Sequence, residues 1–208
     1  MMRSTVAAGM PSLAITYRND AGVRQDESGM YQFGRTEWAD LDAAVGYAQD
    51  HGADEIVLVG ASMGGAIIAS YLRHVPDAPV AALVLDSPML DFGQTVSYGA
   101  SQRPLPVFGH VPEALTWTAK QIAALRYGVD WSDVDYLEDS SWLEGVPTLV
   151  VHGSQDETVP VTLSEQLTAA HPEEVDLMVV PGAGHVASWN ADPDAYDATL
   201  ANFLHRRG

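Results

Sequence analysis

The chain has 208 residues, 47% of them hydrophobic and 18% charged, with 18 Gly and 12 Pro. That composition supplies a substantial core, fits a single domain spanning residues 1–208, and excludes a disordered, collagen-like or coiled-coil chain. Ten Lys plus Arg against 28 Asp plus Glu give a formal net charge of −18, which repels phosphate backbones and anionic lipid and argues against nucleic acid or membrane as partners.

Residues 1–9 lack the apolar core of a signal peptide, and no run approaches a membrane span, so a soluble cytoplasmic protein is expected. Residues 13–17, Leu-Ala-Ile-Thr-Tyr, read as a strand that ends at the turn-rich Asn19-Asp20-Ala21-Gly22. Thr36 is the expected N-cap of a helix with Trp38, Leu41, Val45 and Ala48 on one face, stopping near His51-Gly52. Residues 56–59 form a β-branched run suited to a strand buried on both faces, followed by a helix through Tyr71-Leu72. Residues 81–85 and 147–151 read as further buried strands, and Leu163, Leu167 and Ala170 mark a helix. Residues 175–180 are the last strand. Asp192-Pro193 is an N-cap and first-turn pair for a closing helix with Tyr196, Leu200, Phe203 and Leu204 on its buried side. Strands alternating with helices predict an α/β fold with a mainly parallel sheet.

One stretch breaks the alternation. Residues 92–142 hold Pro104, Pro106, Pro112, Trp117, Trp131 and Trp142, with a helical pattern around 115–127. An insertion far longer than the usual connection of about 4–6 residues is expected to be a lid or cap.

The chemistry centres on Gly60-Ala61-Ser62-Met63-Gly64, directly after one strand and directly before a helix. So tight a turn puts Ser62 in a strained backbone, and glycines at 60 and 64 are expected because a side chain there would strike neighbouring backbone. The hydroxyl then stands at a helix N-terminus, where the helix dipole favours developing negative charge. A serine needs a base, and the base an orienting acid. Asp156 follows the strand at 147–151, and His185 follows the strand at 175–180 within Pro181-Gly182-Ala183-Gly184-His185. Both therefore fall at the C-terminal edge of a parallel sheet, where ligands bind. With no cysteine in the chain, a disulfide framework, a Cys-based zinc site and a thiol nucleophile are all excluded.

These residues carry a resemblance. The chain is similar to the α/β-hydrolase superfamily, in particular the bacterial serine hydrolases grouped with serine aminopeptidase-like and bem46-like proteins. The matching features are Tyr17-Arg18-Asn19-Asp20, Thr36-Glu37-Trp38, the turn at 60–64, His152-Gly153 through Val159-Pro160, and Gly184-His185 with Ser188-Trp189-Asn190. The resemblance implies Ser62 as nucleophile, His185 as general base and then general acid, and Asp156 as the residue orienting the imidazole. It implies a substrate-selecting cap at about 92–142, a small-molecule acyl substrate, and the Met63 backbone N–H as one oxyanion donor. Asp86 is the rival acid, ending the strand at 81–85, although Asp86-Ser87-Pro88 is better read as shaping the cap entrance. His51, His74, His110, His171 and His205 are expected in solvated or capping roles. The acidic run Asp130, Asp133, Asp135, Glu138 and Asp139 lacks the spacing of a calcium loop, and no cofactor or metal is expected.

By the same resemblance the chain starts after the family's first three strands, so a second oxyanion donor is expected to be missing, a loss of about 10²–10³ in turnover. Removing the family's third strand either lets residues 13–17 pair with 56–59 or leaves an unpaired edge that invites a homodimer. Two readings compete: a serine hydrolase acting on an ester, thioester or small amide, and an inactive hydrolase fold with a binding role.

Overall fold

A computed structural model describes residue 5 and residues 9–23, 25–105 and 109–206. Helix α1 (Trp38–Asp50) leads into strand β1 (Ile56–Ala61), helix α2 (Met63–His74) and strand β2 (Val80–Asp86). Then come α3 (Phe92–Ser101), the short strands β3 (Pro104–Leu105) and β4 (Gly109–His110), and α4 (Glu113–Tyr127). Strand β5 (Thr148–Gly153), α5 (Val161–Ala170), β6 (Val175–Val180), α6 (Ser188–Ala191) and α7 (Pro193–His205) complete the order.

The main sheet has four strands in the order β1-β2-β5-β6, and all its pairings are parallel. Side-chain alternation splits the core into two layers. Leu83, Leu85 and Val150 face α1, α2 and α5 together with Val45, Leu72 and Leu167. Ala82, Val84, Leu149 and Val151 face the other way, onto Tyr196, Leu200 and Phe203 of α7. Asp192 caps α7 as its sequence implies, its side chain accepting the Ala195 N–H at 3.0 Å.

Several expectations change. Residues 13–17 belong to no strand, and Leu13 is 55% exposed. Strand propensity alone gives a segment no stability without a ladder partner; what ties this stretch down is Arg18, whose guanidinium forks onto Asp40 of α1 at 2.8 and 3.0 Å. The outer edge of β1 accordingly pairs with no strand among the described residues, and Val59 on it is 40% exposed, so β1 is not buried on both faces. Thr36 is not the N-cap of α1. Its hydroxyl donates to Asp26 Oδ2 at 3.2 Å, and the residue before the helix is Glu37. The buried Glu37 carboxylate turns back instead, accepting the N–H groups of Gln32 at 2.6 Å and Gly34 at 3.0 Å. Of residues 1–9, which the resemblance reads as the tail of a helix, only residues 5 and 9 are described.

The segment from α3 to α4 is joined to the body by side chains. Tyr98 of α3 donates to the Asp156 carbonyl at 3.0 Å, while inside the segment Lys120 of α4 donates to Gly93 O of α3 at 3.0 Å, over the Trp131 ring. Of the tryptophans in residues 92–142, Trp142 is buried in the core, its indole N–H bonded to Tyr136 O at 2.8 Å, while Trp117 is exposed on α4.

Candidate active site

Ser62 occupies the turn between β1 and α2 with φ 51° and ψ −117°, a conformation that costs a non-glycine residue about 1–3 kcal/mol. The turn is pinned from both sides. The Ser62 N–H donates to Asp86 O at 2.9 Å, and Ser62 O accepts the N–H groups of Gly65 and Met89, both at 3.0 Å. A β-carbon on Gly60 would lie 2.7 Å from the Gly64 carbonyl carbon, so glycine is required there. Gly64 itself faces open space. The expected collision of a side chain at 64 is absent, and the crowded neighbour is Gly65, whose β-carbon would meet Pro88 at 2.6 Å.

His185 sits in the loop after β6, and its Nε2 lies 2.9 Å from Ser62 Oγ. Its Nδ1 lies 2.8 Å from Asp156 Oδ2. A carboxylate only accepts, so Nδ1 carries the hydrogen and Nε2 is left to receive the Ser62 proton. The imidazole is 25% exposed, whereas the Asp156 side chain has no solvent access. Burial pushes the Asp156 carboxyl up, but hydrogen bonds from His152, His185 and the Val159 and Thr158 N–H groups outweigh it and hold it well below the usual carboxylate range. The two backbone donors both reach Oδ1 at 2.9 Å.

Asp86, the rival acid, points elsewhere. Its Oδ2 accepts the Tyr196 hydroxyl at 3.2 Å and its Oδ1 the Ser87 hydroxyl at 3.4 Å. Burial raises the Asp86 carboxyl above its ordinary value, and burial with the Asp86 charge pushes the Tyr196 phenol well up. Met63 is the first residue of α2, so its N–H is among those with no acceptor inside the helix. Its side chain joins Phe33 and Phe92 against Met89, Val159 and Leu163. Phe33 stacks on Phe92 at 3.7 Å between ring centres, and Phe92 on Trp131 at 5.6 Å, giving the serine an apolar flank.

Four other histidines hydrogen-bond within the fold away from Ser62, and His110 is exposed in β4. His51, His74 and His205 each place Nδ1 2.7–2.8 Å from the carbonyl four residues earlier, and His171 bonds Ser140. Among the described residues no group of three or more His, Asp or Glu side chains could hold a metal ion, and no helix is long and apolar enough to cross a membrane. Three contributors are missing from the sequence-based site. Tyr98 looks like any helix polar residue, Ser87 reads only as part of Asp86-Ser87-Pro88 at the cap entrance, and His152 only as the His-Gly that follows a strand.

The parallel sheet and the helices flanking it are mirrored in solved proteins. Residues 4–207 match the prolyl oligopeptidase family. The chain belongs to that family. Its fold is the α/β-hydrolase fold, within the superfamily that the sequence resembles. An esterase of Pyrococcus furiosus superposes with a TM-score of 0.62 at 22% identity, over 88% of this chain and 66% of the esterase. An α/β hydrolase from a Penicillium species gives a TM-score of 0.64 at 18% identity, over 92% of this chain and 78% of the other. An uncharacterized protein of Mycobacterium tuberculosis is 30% identical over 201 residues, which are 92% of this chain and 57% of that relative. The chain thus spans somewhat over half the length of this relative.

Proposed function

We propose that this chain is a serine hydrolase that cleaves an ester, thioester or small amide through an acyl-enzyme. The observation that carries the reading is the continuous hydrogen-bonded chain from Ser62 Oγ through His185 to Asp156, at 2.9 and 2.8 Å. Ser62 Oγ attacks the acyl carbon as its proton passes to His185 Nε2. Asp156, fully buried and braced by two backbone N–H groups, holds the resulting imidazolium in place. The carbonyl oxygen takes up negative charge beside the Met63 N–H and the N-terminus of α2. His185 then gives its proton to the leaving alcohol, thiol or amine, and the acyl group remains on Ser62. Water then attacks the acyl carbon as His185 Nε2 takes its proton, the bond from Ser62 Oγ to the acyl carbon breaks, and His185 returns the proton to Ser62 as the acid leaves, so the cycle uses no cofactor.

The surroundings of Ser62 support an apolar acyl substrate. The Phe33, Phe92 and Met63 flank suits an apolar acyl group, and the net charge of −18 disfavours polyanionic substrates. The esterase among the similar structures is in keeping with this reading. The reading is tested by hydrolysis of a short-chain nitrophenyl ester. Turnover by the wild-type chain that disappears in Ser62→Ala supports it, and equal rates for the two chains refute it.

A further inference from the structure

His152 is the penultimate residue of β5 and has no solvent access. A buried imidazole must place both ring nitrogens, and the partners here fix which one carries hydrogen. Nε2 lies 3.0 Å from the Val159 carbonyl, which can only accept, so Nε2 is the donor. Nδ1 lies 2.7 Å from Ser164 Oγ on α5, and the serine hydroxyl completes the neutral ring by donating to it. Nε2 also lies 3.3 Å from Asp156 Oδ2, so its one hydrogen is shared between that oxygen and the Val159 carbonyl. Oδ2 is the oxygen His185 Nδ1 approaches at 2.8 Å. Two imidazoles therefore converge on one carboxylate oxygen, one from the solvent side and one from the core.

From this convergence we propose that His152 is a positioning residue for the reaction of Ser62: its Nε2–H braces the Asp156 carboxylate and shares the charge that Asp156 presents to His185. The proposal rests on the roles given above to Ser62, His185 and Asp156. Backbone donors fix Oδ1, but Oδ2 would otherwise be held only by the partly exposed His185 ring. A buried N–H on its inner side removes that freedom. It also spreads the negative charge of Oδ2 over two donors, so the proton that His185 gains during attack is held less tightly than by an unshared carboxylate. The other polar and titratable groups packed around the pair are Asp86 on β2, whose carboxyl feels both imidazoles, Tyr98 on α3 and Ser164 on α5.

The test compares the pH profile of kcat/KM on a short-chain nitrophenyl ester for wild type, His152→Phe and His152→Gln, with thermal melts as the check on folding. Loss of the N–H in His152→Phe is expected to lower kcat/KM about tenfold. It should also move the acid limb of the profile to higher pH, because Asp156 then acts on His185 undivided. His152→Gln offers an amide N–H near the Nε2 position and should restore both rate and limb. A lower rate with an unmoved limb, or a Gln variant that matches Phe, would overturn the proposal. If His152→Phe does not fold, Ser164→Ala decides. It loosens the ring at Nδ1 and is expected to shift the limb in the same direction, and an unmoved limb there overturns the proposal. A wild-type chain that neither turns over the ester nor reacts at Ser62 defeats the serine-hydrolase reading itself; an active wild type with unmoved limbs defeats this proposal alone.

Discussion

The Ser87 hydroxyl accepts the Val186 N–H at 3.2 Å, joining the end of β2 to the loop that carries His185. Both residues have left-handed backbones, Ser87 at φ 49° and Val186 at φ 50°. With Ser62 at φ 51°, three strained non-glycine residues meet at one place. A β-branched residue such as Val186 does not hold that conformation unless its surroundings enforce it.

Ser87→Ala removes that enforcement. The His185 loop should relax and kcat should fall about three- to tenfold, the worth of one buried hydrogen bond. KM should change little, because the buried Ser87 hydroxyl is engaged with Val186 and Asp86. Steady-state kinetics on the nitrophenyl ester measure both parameters.

The choice between the two acids is tested by a pair of amides. Asp156→Asn should lower kcat about 10⁴-fold, since an amide cannot hold His185 in the required tautomer. Asp86→Asn should keep most of the activity, because Asp86 bonds Tyr196 and Ser87 and makes no hydrogen bond to His185. The reverse outcome would move the acid to the end of β2.

These two carboxyls also give opposite pH dependences of stability. The Asp86 carboxyl is raised by burial, so in the folded protein it binds a proton that the unfolded chain has already lost. Its contribution is full below the unfolded value and is lost as pH rises through the folded one. The Asp156 carboxyl is depressed, so its contribution is present above the unfolded value and fades as pH falls towards the folded one. Melting temperatures of wild type and Asp86→Asn from about pH 4 to pH 8 check the first. The variant should gain relative to wild type as pH rises, and a constant difference would contradict the account.

The turn at 60–65 separates two glycines that look alike in the sequence. Gly60→Ala should cost about 1–3 kcal/mol, because its β-carbon meets the backbone of Gly64. Gly64→Ala places a β-carbon in open space within α2 and should leave stability unchanged or raise it by up to about 1 kcal/mol. Chemical denaturation of both variants gives the comparison.

The legible part of this protein is the part specified by local pattern. β2 and β6 follow from their apolar runs, α7 from Asp192-Pro193, and the positions of Ser62, Asp156 and His185 from strands that end just before them. What was not legible depends on contacts between distant segments. Residues 13–17 have strand composition but no partner strand, so the pattern overstates them. Of the two outcomes expected for β1, the described residues show the open edge. Thr36 has the chemistry of a helix cap, yet Asp26 takes its hydroxyl. His152 becomes informative only when folding brings its ring beside Asp156 and Ser164.

The proposal that Ser62 is an activated nucleophile stands or falls with its reaction towards a fluorophosphonate, the adduct being located by peptide mass mapping. A single adduct on Ser62 is expected, abolished in Ser62→Ala and strongly slowed in His185→Ala. No adduct on Ser62, or labelling that persists unchanged in His185→Ala, would contradict it.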